Sequence, residues 1–250
     1  MSGELFAEVL LVTICLGMGG ILKGATGAGA PILAVPALVL LFDVHFAILV
    51  MLIPNIVTNI FQVWKFRSSL PEVSFVAPLM LGGSIGILIG TYTLATLSSD
   101  VLSLFLAIAV FGYIAIRLGK PEWKIQMGAA KVLALPAGIG AGFLQGASGL
   151  SAPISITFLN AMRLPRPVFI VTISLLFTIF TVVQLLALWQ GGLLRQDGMF
   201  FSMFAVIPIS LAMPLGAHLA KKVKPQTFDR VILGLLALIA IRLLAGLLMN

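Results

Sequence analysis

Charge is what this chain has least of. Only 9% of its 250 residues are Asp, Glu, Lys or Arg, while 60% are hydrophobic; a soluble domain carries about 25% charged residues. Such a chain cannot cover a water-facing surface, which leaves a membrane protein with little mass outside the bilayer. Cysteine is nearly absent too: Cys15 stands alone in an apolar run, so no disulfide framework exists. The two histidines lie far apart and no acid pair has metal-ligand spacing, so neither a metal, a cofactor nor an enzyme's chemistry is expected. The net charge of +7 comes from 15 Lys and Arg against 8 Asp and Glu. It falls mostly in short gaps between apolar runs, where it orients helices and is no nucleic-acid footprint. Glu4 and Glu8 open the chain without a basic leader, so the first apolar run reads as a mature helix, not a signal peptide.

Long apolar runs are what is present. A span needs about 20 apolar residues at about 1.5 Å each. Eight segments qualify: Leu5 to Leu22, Phe46 to Trp64, Val73 to Ala95, Val101 to Arg117, Lys131 to Leu144, Val168 to Gln190, Met199 to Ala220 and Phe228 to Met249. Two shorter runs, Pro31 to Phe42 and Pro153 to Met162, each cover half a membrane and follow glycine-rich stretches.

Those stretches repeat. "LKGATGAGAPI" at Leu22 to Ile32 recurs as "LQGASGLSAPI" at Leu144 to Ile154, an offset of 122 (144 − 22). Gln62 matches Gln184 at the same offset, and "IAIRL" at Ile114 recurs at Ile239 (239 − 114 = 125). Ordered matches with slowly drifting offsets indicate duplication, with repeats at 1–120 and 121–250 in one membrane domain. Lys65 and Arg67 follow the second span while only Asp100 follows the third; in the second half Lys221, Lys222 and Lys224 stand where Asp100 stood. Arg163 and Arg166 likewise replace Asp43 and His45, and the linker carries Arg117, Lys120, Lys124 and Lys131. Because Lys and Arg favour the cytoplasmic side, this reversal predicts inverted halves, a cytoplasmic linker and both termini outside, with Arg242 as the exception. The fold class expected is an all-α polytopic membrane protein of two inverted pseudo-symmetric halves.

The glycine stretches are candidate sites. Gly24, Gly27 and Gly29 loosen a helix and Pro31 disfavours helix at Ala30, so a helix is expected to end near Lys23 and a half-helix to restart after an unwound turn. Irregular backbone at membrane depth is tolerated only inside protein or facing water. Glycine clusters also serve plain helix packing, which is the reading preferred for Gly82, Gly86 and Gly90 and for Ala212, Gly216 and Ala220. For the two duplicated stretches a site is preferred. Half-helix starts present free N–H groups and a positive dipole end, which suit an anion. A lysine at such depth marks a site or an ion path, or else snorkels to the interface. No acid falls mid-span to pair with Lys23, which favours an anionic substrate. The substrate-binding candidates are Lys23, Gly24, Ala25, Thr26 and Gly27 with Gln145, Gly146, Ala147, Ser148 and Gly149. Asn55, Thr58, Asn59 and Gln62 recur on one helical face, and Thr181 and Gln184 stand at the positions matching Asn59 and Gln62, with Thr178 beside them; these seven line a path or tie helices together. His218, which matches Tyr92, is read as an interfacial residue before a proton relay. "KGATGAGAP" is no P-loop, because the lysine precedes the glycines.

On these residues the chain resembles the sulfite exporter TauE/SafE family of the toluene-sulfonate uptake permease superfamily. The carriers are "GATGAGAPILAVPAL" and "GASGLSAPISITFL", the polar "IPNIVTNIFQVWKF" and "GGSIGILIG". The resemblance implies a secondary transporter of sulfite or an organosulfonate such as sulfoacetate, working by alternating access in a bacterial inner membrane. Its partners would be that small anion and the lipid bilayer, with no nucleic acid; a homo-oligomer is compatible. An anion channel, or a non-transporting subunit of a partner enzyme, remain the alternative readings.

Overall fold

A computed structural model of the chain describes residues 3–119, 123–222 and 225–249. Ten α-helices follow one another: α1 (Gly3–Thr26), α2 (Ala30–Val39), α3 (Val44–Lys65), α4 (Val73–Thr96), α5 (Ser99–Gly119), α6 (Met127–Ser148), α7 (Ala152–Ala161), α8 (Arg166–Gln190), α9 (Gln196–Lys222) and α10 (Pro225–Met249). A single 3-10 turn, Arg67–Ser69, joins α3 to α4, and there is no strand among the described residues. Seven of the helices are long and apolar enough to cross a membrane. α10, with 25 residues, stands in the place of the eighth expected span. Lys120 and Lys224 lie outside the described residues, as do the side chains of Glu4 and Glu8.

Local chemistry sets the boundaries. Asp43 caps α3 by accepting a 2.8 Å hydrogen bond from the Phe46 N–H, one of the orphan donors of a helix start. Pro31, Pro153 and Pro167 sit in the first turns of α2, α7 and α8, where a missing N–H costs nothing. All three tryptophans, Trp64, Trp123 and Trp189, are exposed at or beside helix ends, the level at which an amphipathic ring meets headgroups. Val132, Leu211 and Leu238 lie more than two-thirds exposed within helices; lipid, not water, is their solvent.

Packing is organised by two glycine seams. Gly82, Gly86 and Gly90 of α4 face the carbonyls of Leu135, Ile139 and Phe143 of α6 so closely that a methyl group would overlap them. Gly138, Gly142 and Gly146 face Leu79, Gly83 and Ile87 in return. Both partners advance by four residues together, so α4 and α6 run parallel. The second seam joins α1 to α9: Gly20 meets Ile209, Gly24 meets Met213 and Gly216 meets Ile21. These helices run parallel as well.

The seams and connections fix the directions of all the spans. α6 starts at the linker face, so α4 starts there too. α7 returns to that face, because the Ala161 carbonyl at its end accepts a 2.9 Å bond from the Ile125 N–H just before α6. α8 therefore runs away from the linker face and α9 runs back towards it. α1, parallel to α9, opposes α6, its counterpart in the repeat. The halves are inverted, as the loop charges predicted. They are also interleaved: α1 packs on α9 as α6 packs on α4, while α3 meets α8 and α5 meets α10.

One boundary corrects the sequence expectation. α1 does not end near Lys23 but runs on to Thr26. Gly24 is helical because its missing side chain lets α1 touch the α9 backbone; the glycine serves close approach there, not unwinding. The break comes later, at Gly27 (φ +83°) and Gly29 (φ +101°), with Gly149 (φ +72°) in the second half.

Candidate functional site

Both breaks open into one place. The start of α2 (Gly29, Pro31, Ile32) and the start of α7 (Leu150, Ser151, Ala152) line a single cavity, together with Asn55, Gln145, Phe177 and Thr181. Neither half-helix carries a side-chain cap, so the positive ends of two helices converge on this cavity. Each half-helix has ten residues, about 15 Å, which places the breaks within the depth of the bilayer. The cavity measures about 10 Å³, enough for about one water. An oxyanion of several heavy atoms needs it to widen.

Polar barriers flank the cavity along α3 and α8. On the linker side of Asn55, the fully buried Lys23 donates to Asn59 Oδ1 at 2.5 Å. One turn further, Ser174 donates to Gln62 Oε1 at 3.0 Å. α8 runs the opposite way, so Gln184 lies on the far side of Thr181. There Gln145 Nε2 donates to Gln184 Oε1 at 3.2 Å, Gln184 Nε2 donates to the Gln145 carbonyl at 3.0 Å, and Ser151 donates to Gln145 Oε1 at 2.9 Å. One barrier therefore holds a lysine and the other is neutral.

Lys23 forms no ion pair among the described residues. Its amide partner is itself incomplete: Asn59 Nδ2 is buried without an acceptor. Asn55 Oδ1, at the cavity wall, is also buried and unpartnered. Unmet polar atoms are rare in protein interiors and cost free energy of about 1–3 kcal/mol each. The region is donor-rich, with unspent N–H groups on Lys23 and Asn59.

The sequence candidates divide by position. Gln145, Asn55 and Thr181 line the cavity; Lys23, Asn59, Gln62 and Gln184 form its barriers. Gly27 and Gly149 make the left-handed turns, whereas Gly24 and Gly146 sit in the seams. Ala25 and Ala147 are buried in the last turns of α1 and α6. The Ser148, Thr58, Thr178 and Thr181 hydroxyls bond carbonyls one turn back in their own helices. The Thr26 hydroxyl does the same to Leu22, and it also contacts the Ala28 carbonyl. His218 lies exposed, away from the cavity. Sequence reasoning missed Ser151, which matches Gly29 in the repeat (151 − 122 = 29) and so hid behind the emphasis on identical positions, and Phe177 with it; the half-helix starts were expected as donors, though Pro31, Ile32, Leu150 and Ala152 were not named as site residues.

No metal-binding group of His, Cys, Asp and Glu occurs among the described residues. No curated protein and no solved structure matches the chain. The family Sulfite exporter TauE/SafE, a family of membrane transporters and not of enzymes, matches over residues 11–243. A ten-helix bundle in which two broken helices meet at one cavity is thus joined to a match over nearly the whole length, and the chain belongs to the Sulfite exporter TauE/SafE family.

Proposed function

We propose that this protein is a secondary transporter that carries sulfite or a small organosulfonate through the cavity between the two breaks. The observation that carries the reading is Lys23: fully buried, bonded only to a neutral amide, with no carboxylate partner among the described residues. An ammonium in low dielectric is costly unless an opposite charge joins it. A substrate anion supplies that charge, and the Asn59 Nδ2 and the starts of α2 and α7 supply further donors.

Alternating access follows from the barriers. Opening the Lys23–Asn59 and Ser174–Gln62 contacts admits the anion from the linker face. Opening the Gln145–Gln184–Ser151 cluster releases it on the other. Barriers on both sides of a water-sized cavity support a carrier over an open channel. The 1–120 and 121–250 repeats each contribute one break and half of each seam. The linker face holds Lys65, Arg67, Lys124, Lys131, Arg163, Arg166, Lys221 and Lys222 with one acid, Glu72, while Asp43, Asp100 and Asp197 lie on the other side with Arg195 and Arg242. That asymmetry supports a cytoplasmic linker face and external termini; a bacterial inner membrane as the site of action rests on the family resemblance.

The test is flux into liposomes of purified protein, with labelled sulfite and a panel of small sulfonates, wild type beside Lys23→Met. Saturable flux that the variant loses supports the reading. Undiminished flux in the variant would remove Lys23 from the site, and no flux from folded wild type with any of these anions would sink the transporter reading.

A further inference from the structure

The loop side of the lysine barrier carries a second cation that the cavity does not include. Arg166 is the first residue of α8, exposed at the linker face. Its Nη2 reaches back to α1 and donates to the Ala25 carbonyl at 3.1 Å. Ala25 lies two residues after Lys23, in the last turn before the break. One turn up α8, Ile170 packs against Gly27 inside the break itself. Arg166 therefore grips the same short segment that holds Lys23, from the solvent side.

The guanidinium has five donors and the Ala25 carbonyl accepts from one nitrogen. No carboxylate pairs with Arg166 among the described residues, and Glu72 of the same face is already bonded to Lys131 at 2.6 Å. The start of α8 adds its own positive dipole end. The other half lacks this arrangement. The repeat position of Arg166 is Val44 (166 − 122 = 44), a fully buried apolar residue, and the neighbouring barrier is the neutral Gln145 cluster. Arg195, on that far face, is engaged by Asp197 at 2.6 Å and Asp43 at 3.6 Å. Among the described residues that contact the two breaks, unpaired cations thus stand at two depths on the linker side.

We propose that Arg166 captures substrate anions at the linker-face mouth and latches the α1 break when no anion is present. In the closed protein it holds the Ala25 carbonyl. An arriving anion takes its free fork, the carbonyl is released, the break loosens, and the anion passes on to Lys23. The inference rests on the anion-transport reading and adds a sidedness to it.

The experiment is labelled sulfite flux in inside-out and right-side-out vesicles, with wild type, Arg166→Gln and Arg166→Lys. For sulfite offered at the linker face, the glutamine variant should raise KM about tenfold with kcat near wild type. The lysine variant should fall between, since it keeps the charge and loses the fork. KM from the opposite face should hold within about twofold. Equal KM changes on both faces, a kcat loss alone, or wild-type KM in both variants would overturn the proposal. Should the glutamine variant fail to fold, the lysine variant decides: a KM rise confined to the linker face supports capture, and equal KM on the two faces removes it. Absence of flux in wild type would instead strike the transport reading.

Discussion

Lys23 Nζ and Asn59 Oδ1 lie 2.5 Å apart, joining the last turn of α1 to the middle of α3. The contact spans 36 residues of sequence and both groups are fully buried. A lysine held by an amide, not by an acid, remains available to a negative ligand. An aspartate in place of Asn59 would spend that charge inside the protein.

Asn59→Asp should therefore fold at least as well as wild type and transport poorly. The new carboxylate lies within bonding distance of the ammonium and competes with the substrate for it. The expected result is a loss of about tenfold or more in sulfite kcat/KM without a lower melting temperature. Retained flux in the Asn59→Asp variant would show that Lys23 does not meet the anion.

Asn55 separates stability from function in another way. Its Oδ1 has no partner, so replacing the amide by an apolar group of similar size breaks no bond through that atom. Asn55→Leu should leave the melting temperature unchanged or raised, because removing an unmet buried polar atom relieves about 1–3 kcal/mol. Sulfite flux should fall, because the cavity wall loses its polar group. A variant that melts much earlier would reveal a hidden structural role for the amide.

Much of this architecture could be read along the chain, and the reason is that its signals are local. Run length gives the spans, glycine-rich stretches before Pro31 and Pro153 give the breaks, and helical spacing gives the Asn55, Asn59 and Gln62 stripe. Loop charges even gave the inversion that the parallel seams display. What escaped is tertiary. Gly24 weakens a helix by propensity, yet α9 rewards its small size and the helix continues. Lys23 could have found any of several partners; only the fold, which seats α1 on α2 and α9 and both of these on α3, brings it to Asn59. Ser151 bonds Gln145 across the break, and nothing in its own neighbourhood of sequence announces that.

At the linker face Glu72, which stands before α4, bonds Lys131 of α6 at 2.6 Å and Ser74 at 3.2 Å. The Lys131 hydrogen bond, followed by the Ser74 hydroxyl and the lysine charge, holds the Glu72 carboxyl below the usual carboxylate range. A lowered folded-state value stabilises the fold at pH above the unfolded-state value, and that contribution is lost as pH falls through the folded one. Wild type should thus exceed Glu72→Gln slightly in melting temperature at neutral pH. The gap should close in acid and shrink in high salt, since the pair is solvent-exposed. A gap that persists in acid would mean the glutamine harms the α4 start for some other reason.

The seams give the largest predicted effects on stability. At Gly86 and Gly142 a methyl group would run into the backbone of the facing helix, at Ile139 and Gly83 respectively. Backbone cannot swing aside as a flexible side chain can, so the two helices must separate along the seam. Gly86→Ala and Gly142→Ala should each cost about 1–3 kcal/mol, read as an earlier melt or a lower folded yield in detergent. A methyl group at Gly112 of α5 would meet nothing within 4 Å. Gly112→Ala should stay within about 1 kcal/mol of wild type, on the stabilising side, because alanine is the better helix former. The comparison isolates close approach from helix propensity, which alone would make every one of these replacements favourable. Gly24→Ala tests the other seam in the same way, and it also decides what that residue does: loss of fold marks it as a packing residue of α1 on α9, while a stable variant with lost sulfite flux would return it to the site.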